Sequence, residues 1–300
     1  MSKEDAEKFD SLLKAKDKTE FINFIVAKSN QERQDLKKAY KEAFNKDLID
    51  VVKSELRSDF EDTVVTFFKD VTEYDCEELK KAMKGAGTDE ETMIEILTSR
   101  TPDELKKINE KYKELYGKTL EEDVIGDTSG DFLELLKALL TCTRSKNNKP
   151  KKFNCQQAAK EIYETGETKK PDTSLIIRYF SSFSPIELQR VCQEYYKLAG
   201  KTMLEFIEKK FSGDFKNALK AVVYAVISPS EYFATKIMKS IKGAGTDEHL
   251  LIRVVITRYE KDMADIKTFF NKLYNKDMIE EVADDISGDF LTIIKALCNK

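Results

Sequence analysis

The chain has 300 residues, 35% charged and 41% hydrophobic, with 51 Lys and Arg against 55 Asp and Glu for a net charge of −4. Only 11 Gly and 5 Pro occur, which excludes turn-rich sandwiches, collagen and linker arrays, while the apolar share excludes a disordered chain. The net negative charge excludes nucleic acid as the default partner, leaving a highly charged, mostly helical protein.

The start, Met1-Ser2-Lys3-Glu4-Asp5-Ala6, has no apolar signal core and no myristoylation pattern, and the end, Cys298-Asn299-Lys300, is no prenylation box. No apolar run approaches the roughly 18 residues of a spanning helix, so the expected location is the cytoplasm. Four matching segments then divide the chain: Ser58-Asp59-Phe60, Ser129-Gly130-Asp131-Phe132, Ser212-Gly213-Asp214-Phe215 and Ser287-Gly288-Asp289-Phe290. Their Phe residues are 72, 83 and 75 positions apart, and the register also holds 32 residues upstream, at Lys28, Arg100, Phe183 and Arg258. Self-similarity at this period marks four homologous modules, over residues 1–70, 71–145, 146–228 and 229–300.

Module 1 has Ala15-Lys16-Asp17-Lys18 early on and an acid, Glu55, five residues before Phe60; Glu55 is expected to be a solvated carboxylate. Module 2 carries Met83-Lys84-Gly85-Ala86-Gly87-Thr88-Asp89-Glu90, then Asp127, forty residues after Gly87 and five before Phe132. Between them, Thr101-Pro102-Asp103-Glu104 predicts a helix start, with an N-cap hydroxyl, Pro at the first position and acid in the first turn. The stripe Phe132, Leu135, Leu136, Leu139 and Leu140 predicts the last helix of the module. A basic stretch from Arg144 to Lys152, with Pro150, reads as a linker whose lysines are solvated or touch lipid headgroups. Module 3 starts a helix at Ser184-Pro185-Ile186-Glu187 but lacks the two-glycine turn, having Gly166 to Asp172 in its place, and the acid position is Lys210. Module 4 repeats the module 2 pattern with Ile241-Lys242-Gly243-Ala244-Gly245-Thr246-Asp247-Glu248 and Asp285, and with helical stripes at Tyr232, Phe233, Ile237, Met238 and Ile241 and at Leu250, Leu251, Val254 and Val255. About five helices per module and no sustained strand alternation make the fold all-α.

The glycine loop alone fits a helix C-cap followed by an N-cap, and Thr88 with Glu91 forms a capping-box pattern. The acid at fixed distance adds a second meaning. Glycines let backbone carbonyls converge on one centre, and a hard cation such as Ca²⁺ takes six to eight oxygens, carbonyls and carboxylates included. Module 3 loses loop and acid together.

With four modules, a K-G-x-G-T-[DE] loop in two of them and the Ser-Gly-Asp-Phe helix start, the sequence resembles the annexin family over essentially its whole length. The resemblance implies four five-helix modules in a slightly curved disc, with calcium loops on the convex face against acidic phospholipid. Carried over by position, the calcium ligands are the carbonyls of Met83, Gly85 and Gly87 with the Asp127 carboxylate, and those of Ile241, Gly243 and Gly245 with Asp285. A weaker auxiliary site maps to Thr88 with Glu90 and to Thr246 with Glu248, and modules 1 and 3 hold no principal-type site. The degenerate first module and short N-terminus also resemble the giardin branch of protist annexins, and no Trp is present for the module 3 loop. Asp75, Glu78, Glu95, Arg100 and Arg253 map to the polar centre where such modules meet, and are expected to form buried ion pairs between modules; a cation path is the alternative.

The lone His249 reads as a surface residue at a helix start, and no nucleophile elbow, P-loop or EF-hand loop occurs, so no enzyme activity is expected. Five cysteines without a C-x-x-C pair read as free, buried thiols. The functional expectation is calcium-dependent, peripheral binding of a monomer to acidic phospholipid at the inner face of membranes when calcium rises, with lateral assembly there. The alternative is a helical scaffold for a cytoskeletal protein, with little calcium dependence.

Overall fold

The computed structural model describes residues 1–85, 87–146, 154–243 and 245–300. Its regular structure is helical, with five helices to a module. Module 1 holds α1 (Lys3–Lys14), α2 (Thr19–Val26), α3 (Asn30–Phe44), α4 (Leu48–Glu55) and α5 (Ser58–Phe67). Module 2 holds α6 (Val71–Ala82), α7 (Glu90–Ser99), α8 (Pro102–Tyr116), α9 (Leu120–Asp127) and α10 (Gly130–Leu140). Module 3 holds α11 (Cys155–Glu167), α12 (Thr173–Ser182), α13 (Pro185–Ala199), α14 (Met203–Lys210) and α15 (Gly213–Ile227). Module 4 holds α16 (Pro229–Ile241), α17 (Glu248–Arg258), α18 (Met263–Tyr274), α19 (Met278–Asp285) and α20 (Gly288–Cys298).

The expected helix starts form. Thr101 and Ser184 each close a capping box, with Glu104 and Glu187, and Pro102 and Pro185 take the first helical position. The recurring Phe60, Phe132, Phe215 and Phe290 are all buried, and the α10 stripe lies entirely in the core. Truncating such a Phe to Ala typically removes about 3–5 kcal/mol. At the start of the last helix, Gly130, Gly213 and Gly288 take φ of +61 to +63°, and Ser58 adopts the same left-handed turn at φ +54°.

The structure divides into two compact units that sequence order does not suggest: residues 1–71 with 230–300, and residues 72–229. Within the first, α2 and α5 pack against α20, and α17 against α5; within the second, α7 packs against α15 and α10 against α12 and α15. The second and fifth helices of each module thus supply its contact with its partner. Accordingly α7 and α17 are buried all round, from Thr92 to Thr98 and from Leu250 to Arg258, as expected for a helix covered on every side.

Two expectations are corrected. Arg100 forms a buried bidentate pair with Asp75, at 2.7 and 2.8 Å, inside module 2 rather than between modules. Burial opposes the guanidinium charge, but Asp75 more than offsets this and holds its pKa above the ordinary value. Gly166 lies in the last turn of α11 rather than in a loop: a Cβ there would meet the Phe206 ring at 2.8 Å, so the glycine permits a close helix approach. Cys76, Cys192 and Cys298 are buried free thiols, while Cys142 and Cys155 are half-buried; burial pushes the Cys192 and Cys298 thiols up to about 12.

Candidate functional site

In module 2, α6 ends at Ala82 and α7 begins at Glu90, and one backbone hydrogen bond bridges the interval: Asp89 N–H donates to the Ala82 carbonyl at 2.9 Å. Module 4 closes the same way, Asp247 N–H to Ser240 O at 2.7 Å. Between these ties the chain must turn back on itself, and it does so through Gly85 (φ +106°) and Gly87 (φ +109°), or Gly243 (+136°) and Gly245 (+104°). A Cβ at any of the four would meet nothing within 4 Å. The glycines are therefore required by backbone conformation, not by space. Ala86 and Ala244 lie outside the described residues.

The N-cap differs from the expected one. Asp89, not Thr88, caps α7, its Oδ1 accepting from Thr92 N–H at 3.0 Å, and Asp247 caps α17 by accepting from Leu250 N–H at 3.0 Å. The capping box of Thr88 with Glu91 does not form. Asp172 caps α12 likewise, and Asp17 accepts from Thr19 N–H at the start of α2. An aspartate at this position in all four modules was the signal available in the sequence.

Released from capping, the Thr88 hydroxyl donates to Asp127, reaching its carboxylate and its carbonyl at 3.3 Å each. The Thr246 hydroxyl donates to the Asp285 carboxylate in the same way. Each predicted acid is thus brought to its predicted loop, 39 residues away in sequence, by the threonine that follows the second glycine. Met83 follows α6, Ile241 ends α16, and Glu90 and Glu248 are the half-buried first residues of α7 and α17. Ile241 and Asp285 line one cavity of about 420 Å³; Thr246, Glu248 and Asp285 line another of about 530 Å³.

Asp127 and Asp285 are exposed and are the last residues of α9 and α19. A helix C-terminus presents unpaired carbonyls and about half a negative charge, so a carboxylate there is unfavourable without a cation. Neither helix has a basic residue in its last turn, whereas α4 has Lys53 and α14 has Lys209 and Lys210. Modules 2 and 4 therefore concentrate negative potential beside a carbonyl-rich loop, and modules 1 and 3 do not.

The donor set expected from the sequence is all oxygen and mostly backbone, and among the described residues no three His, Cys, Asp or Glu side chains cluster as a metal site. One carboxylate with loop carbonyls fits a hard, flexible-geometry cation such as calcium and does not fit zinc, which favours Cys and His.

Of the other singled-out residues, His249 is exposed in the first turn of α17. Within the basic stretch, Lys146 pairs with Asp103 at 2.8 Å and Arg144 donates Nη2 to the Phe180 carbonyl, while residues 147–152 lie outside the described residues. No helix among the described residues is long and apolar enough to cross a membrane.

A family model described as Annexin matches residues 4–67, 74–139, 157–222 and 232–297. Annexin A4 of Mus musculus is 38% identical over 283 residues, covering 94% of this chain and 89% of the relative. Among solved structures, annexin III superposes with a TM-score of 0.94 at 32% identity, covering 99% of this chain and 94% of that one. A calcium-bound annexin (Sm)1 gives 0.87 at 27% identity, covering 100% and 90%. A calcium-bound alpha-14 giardin gives 0.87 at 21% identity, covering 97% of each chain, which shows a shared fold. Four tandem repeats with these relatives place the chain in the annexin family, known for calcium-dependent phospholipid binding.

Proposed function

We propose that this protein binds acidic phospholipid membranes through calcium held by the loops of modules 2 and 4. The carbonyls of Met83, Gly85 and Gly87 with Asp127 would hold one ion, and those of Ile241, Gly243 and Gly245 with Asp285 the other. The Thr88 and Thr246 carbonyls, with Glu90 and Glu248, make a lesser pair of sites. The observation that carries this reading is the threonine-held carboxylate at a helix C-terminus with no basic residue in its last turn, facing a two-glycine turn. Calcium supplies a divalent positive charge, bridging an acidic protein to anionic phosphate. The chain's own residues do the rest: glycines expose carbonyls, threonines orient carboxylates, and Asp89 and Asp247 anchor the loops to the buried helices α7 and α17.

The role is binding, not catalysis, and the location is cytoplasmic, with peripheral attachment when calcium rises. The test is co-sedimentation with phosphatidylserine vesicles in calcium, followed by chelator. Pelleting in calcium and much weaker pelleting in chelator support the reading. A protein that ignores vesicles, or pellets equally in chelator, overturns it and makes the cytoskeletal scaffold the better description.

A further inference from the structure

In modules 2 and 4 the cation that the loop carbonyls call for must come from solution; in modules 1 and 3 the chain carries one. Lys210 occupies the position of Asp127, and its Nζ donates to the Thr168 carbonyl at 3.3 Å. Thr168, four residues before the capping Asp172, stands where Gly85 stands before Asp89. In module 1, Lys18 Nζ donates to the Ala15 carbonyl at 2.7 Å and to that of Leu13. The first matched repeat is two residues shorter than the second. The fully buried Ala6 and Phe9 match Cys76 and Leu79, which sets Leu13 and Ala15 at the Met83 and Gly85 positions. In both degenerate modules an ammonium therefore rests on counterparts of the carbonyls assigned to calcium.

The helix ends are neutralised as well. Arg57, which replaces the serine of the other modules, donates Nη1 to the carbonyls of Lys53 and Ser54 at 3.0 Å, at the end of α4. Exposed lysines flank the tied ones, Lys14 and Lys16 in module 1 and Lys169, Lys170 and Lys209 in module 3, interspersed with the exposed acids Asp17, Glu20 and Glu55 and Glu167, Asp172 and Glu208. Each tied loop adjoins a calcium-type site of its own unit. Lys18 and Glu55 line the 530 Å³ cavity with Thr246 and Asp285, and the Thr173 hydroxyl, just after the module 3 loop, donates to Asp131 of module 2 at 3.0 Å.

We propose that Lys18 and Lys210 are tethered cations: each holds its loop as calcium would, and offers its remaining N–H donors to phosphate oxygens of an anionic membrane, so that modules 1 and 3 touch lipid without calcium. The proposal rests on the membrane reading above. An ammonium has three donors; among the described residues Lys18 spends two on its loop and Lys210 one. Each unit then meets lipid through one removable and one permanent cation.

The test uses the full chain and the variants Lys18→Gln, Lys210→Gln and their double, with vesicles of phosphatidylserine in phosphatidylcholine. Gln keeps an N–H donor for the loop carbonyl and removes the charge; Lys→Ala variants remove both. A basic residue near an anionic surface contributes about fivefold to binding. The double Gln variant should therefore bind about 25-fold more weakly in chelator at low salt, and require more calcium for half-binding. Hydrogen exchange of residues 13–18 and 165–172 should be the same with and without calcium in the wild type, and should accelerate in the Ala variants. Equal vesicle binding by wild type and double Gln variant overturns the lipid contact; unchanged exchange in the Ala variants overturns the tie. A wild-type protein that ignores vesicles even in calcium overturns the membrane reading itself, a distinct result.

Discussion

Replacing both Asp127 and Asp285 with Asn should abolish the calcium response while making the calcium-free protein more stable. The two effects have opposite signs because they come from different neighbours of the same carboxylate. Toward calcium, the change removes one unit charge from each site but leaves an amide oxygen that accepts the Thr88 or Thr246 hydroxyl, so the loop stays tied. Hydrogen bonds and contacts to a charged group are worth about 1.5–3 kcal/mol, which corresponds to roughly 10- to 150-fold weaker calcium binding per site. Without calcium, each carboxylate sits at the C-terminus of a helix with no basic residue in the last turn. Such a placement costs about 0.3–1 kcal/mol, so the double variant should gain about 0.6–2 kcal/mol and melt a few degrees higher in chelator. Each single variant should keep one bridging site and lose part of the avidity. Co-sedimentation over a calcium series, with thermal unfolding in chelator, reads both effects. A double variant that pellets at the wild-type calcium concentration refutes the site assignment. One that loses binding and also melts lower shows that the loss comes from the fold.

Thr88→Val and Thr246→Val remove the hydroxyl that orients the acid and should weaken calcium binding about 10- to 100-fold, the usual worth of an outer partner, with helix content by circular dichroism unchanged. Ser58→Gly relieves a left-handed residue that costs about 1–2 kcal/mol and should raise the melting temperature, while Gly130→Ser should lower it. Arg100→Leu leaves the buried Asp75 carboxylate without its partner and should cost about 3–5 kcal/mol by denaturant unfolding; adding Asp75→Leu should recover much of the loss. Calorimetry should find that phosphatidylserine vesicles lower the calcium needed for half-binding about 5- to 150-fold. A one-carboxylate site leaves coordination positions for phosphate oxygens, and linkage between the two ligands is reciprocal.

The parts of this molecule that could be read from its sequence are those where a residue type is demanded by one physical requirement. A turn at φ above +100° needs glycine, so Gly85, Gly87, Gly243 and Gly245 announced themselves; Ser or Thr followed by Pro and then Glu suits a helix start and little else. Where two residues could satisfy one requirement, the sequence was silent on the choice. Thr88 and Asp89 are both good N-caps, and the aspartate takes the cap because the threonine hydroxyl is drawn to a carboxylate 39 residues away. Gly166 looked like a loop residue because spacing along one module does not reveal the Phe206 ring that only a glycine can approach. The grouping of module 1 with 4, and of 2 with 3, was equally hidden: the second and fifth helices that make those contacts bury mostly apolar residues in every module, and an apolar face does not name its partner. The lysines show the same limit from the other side. Lys210 read as the loss of an acid, and Lys18 as part of a broken loop, because a missing carboxylate is visible in a sequence. What the ammonium does instead depends on a carbonyl some forty residues away for Lys210, and on two carbonyls three and five residues away for Lys18, reached only once the helices are packed.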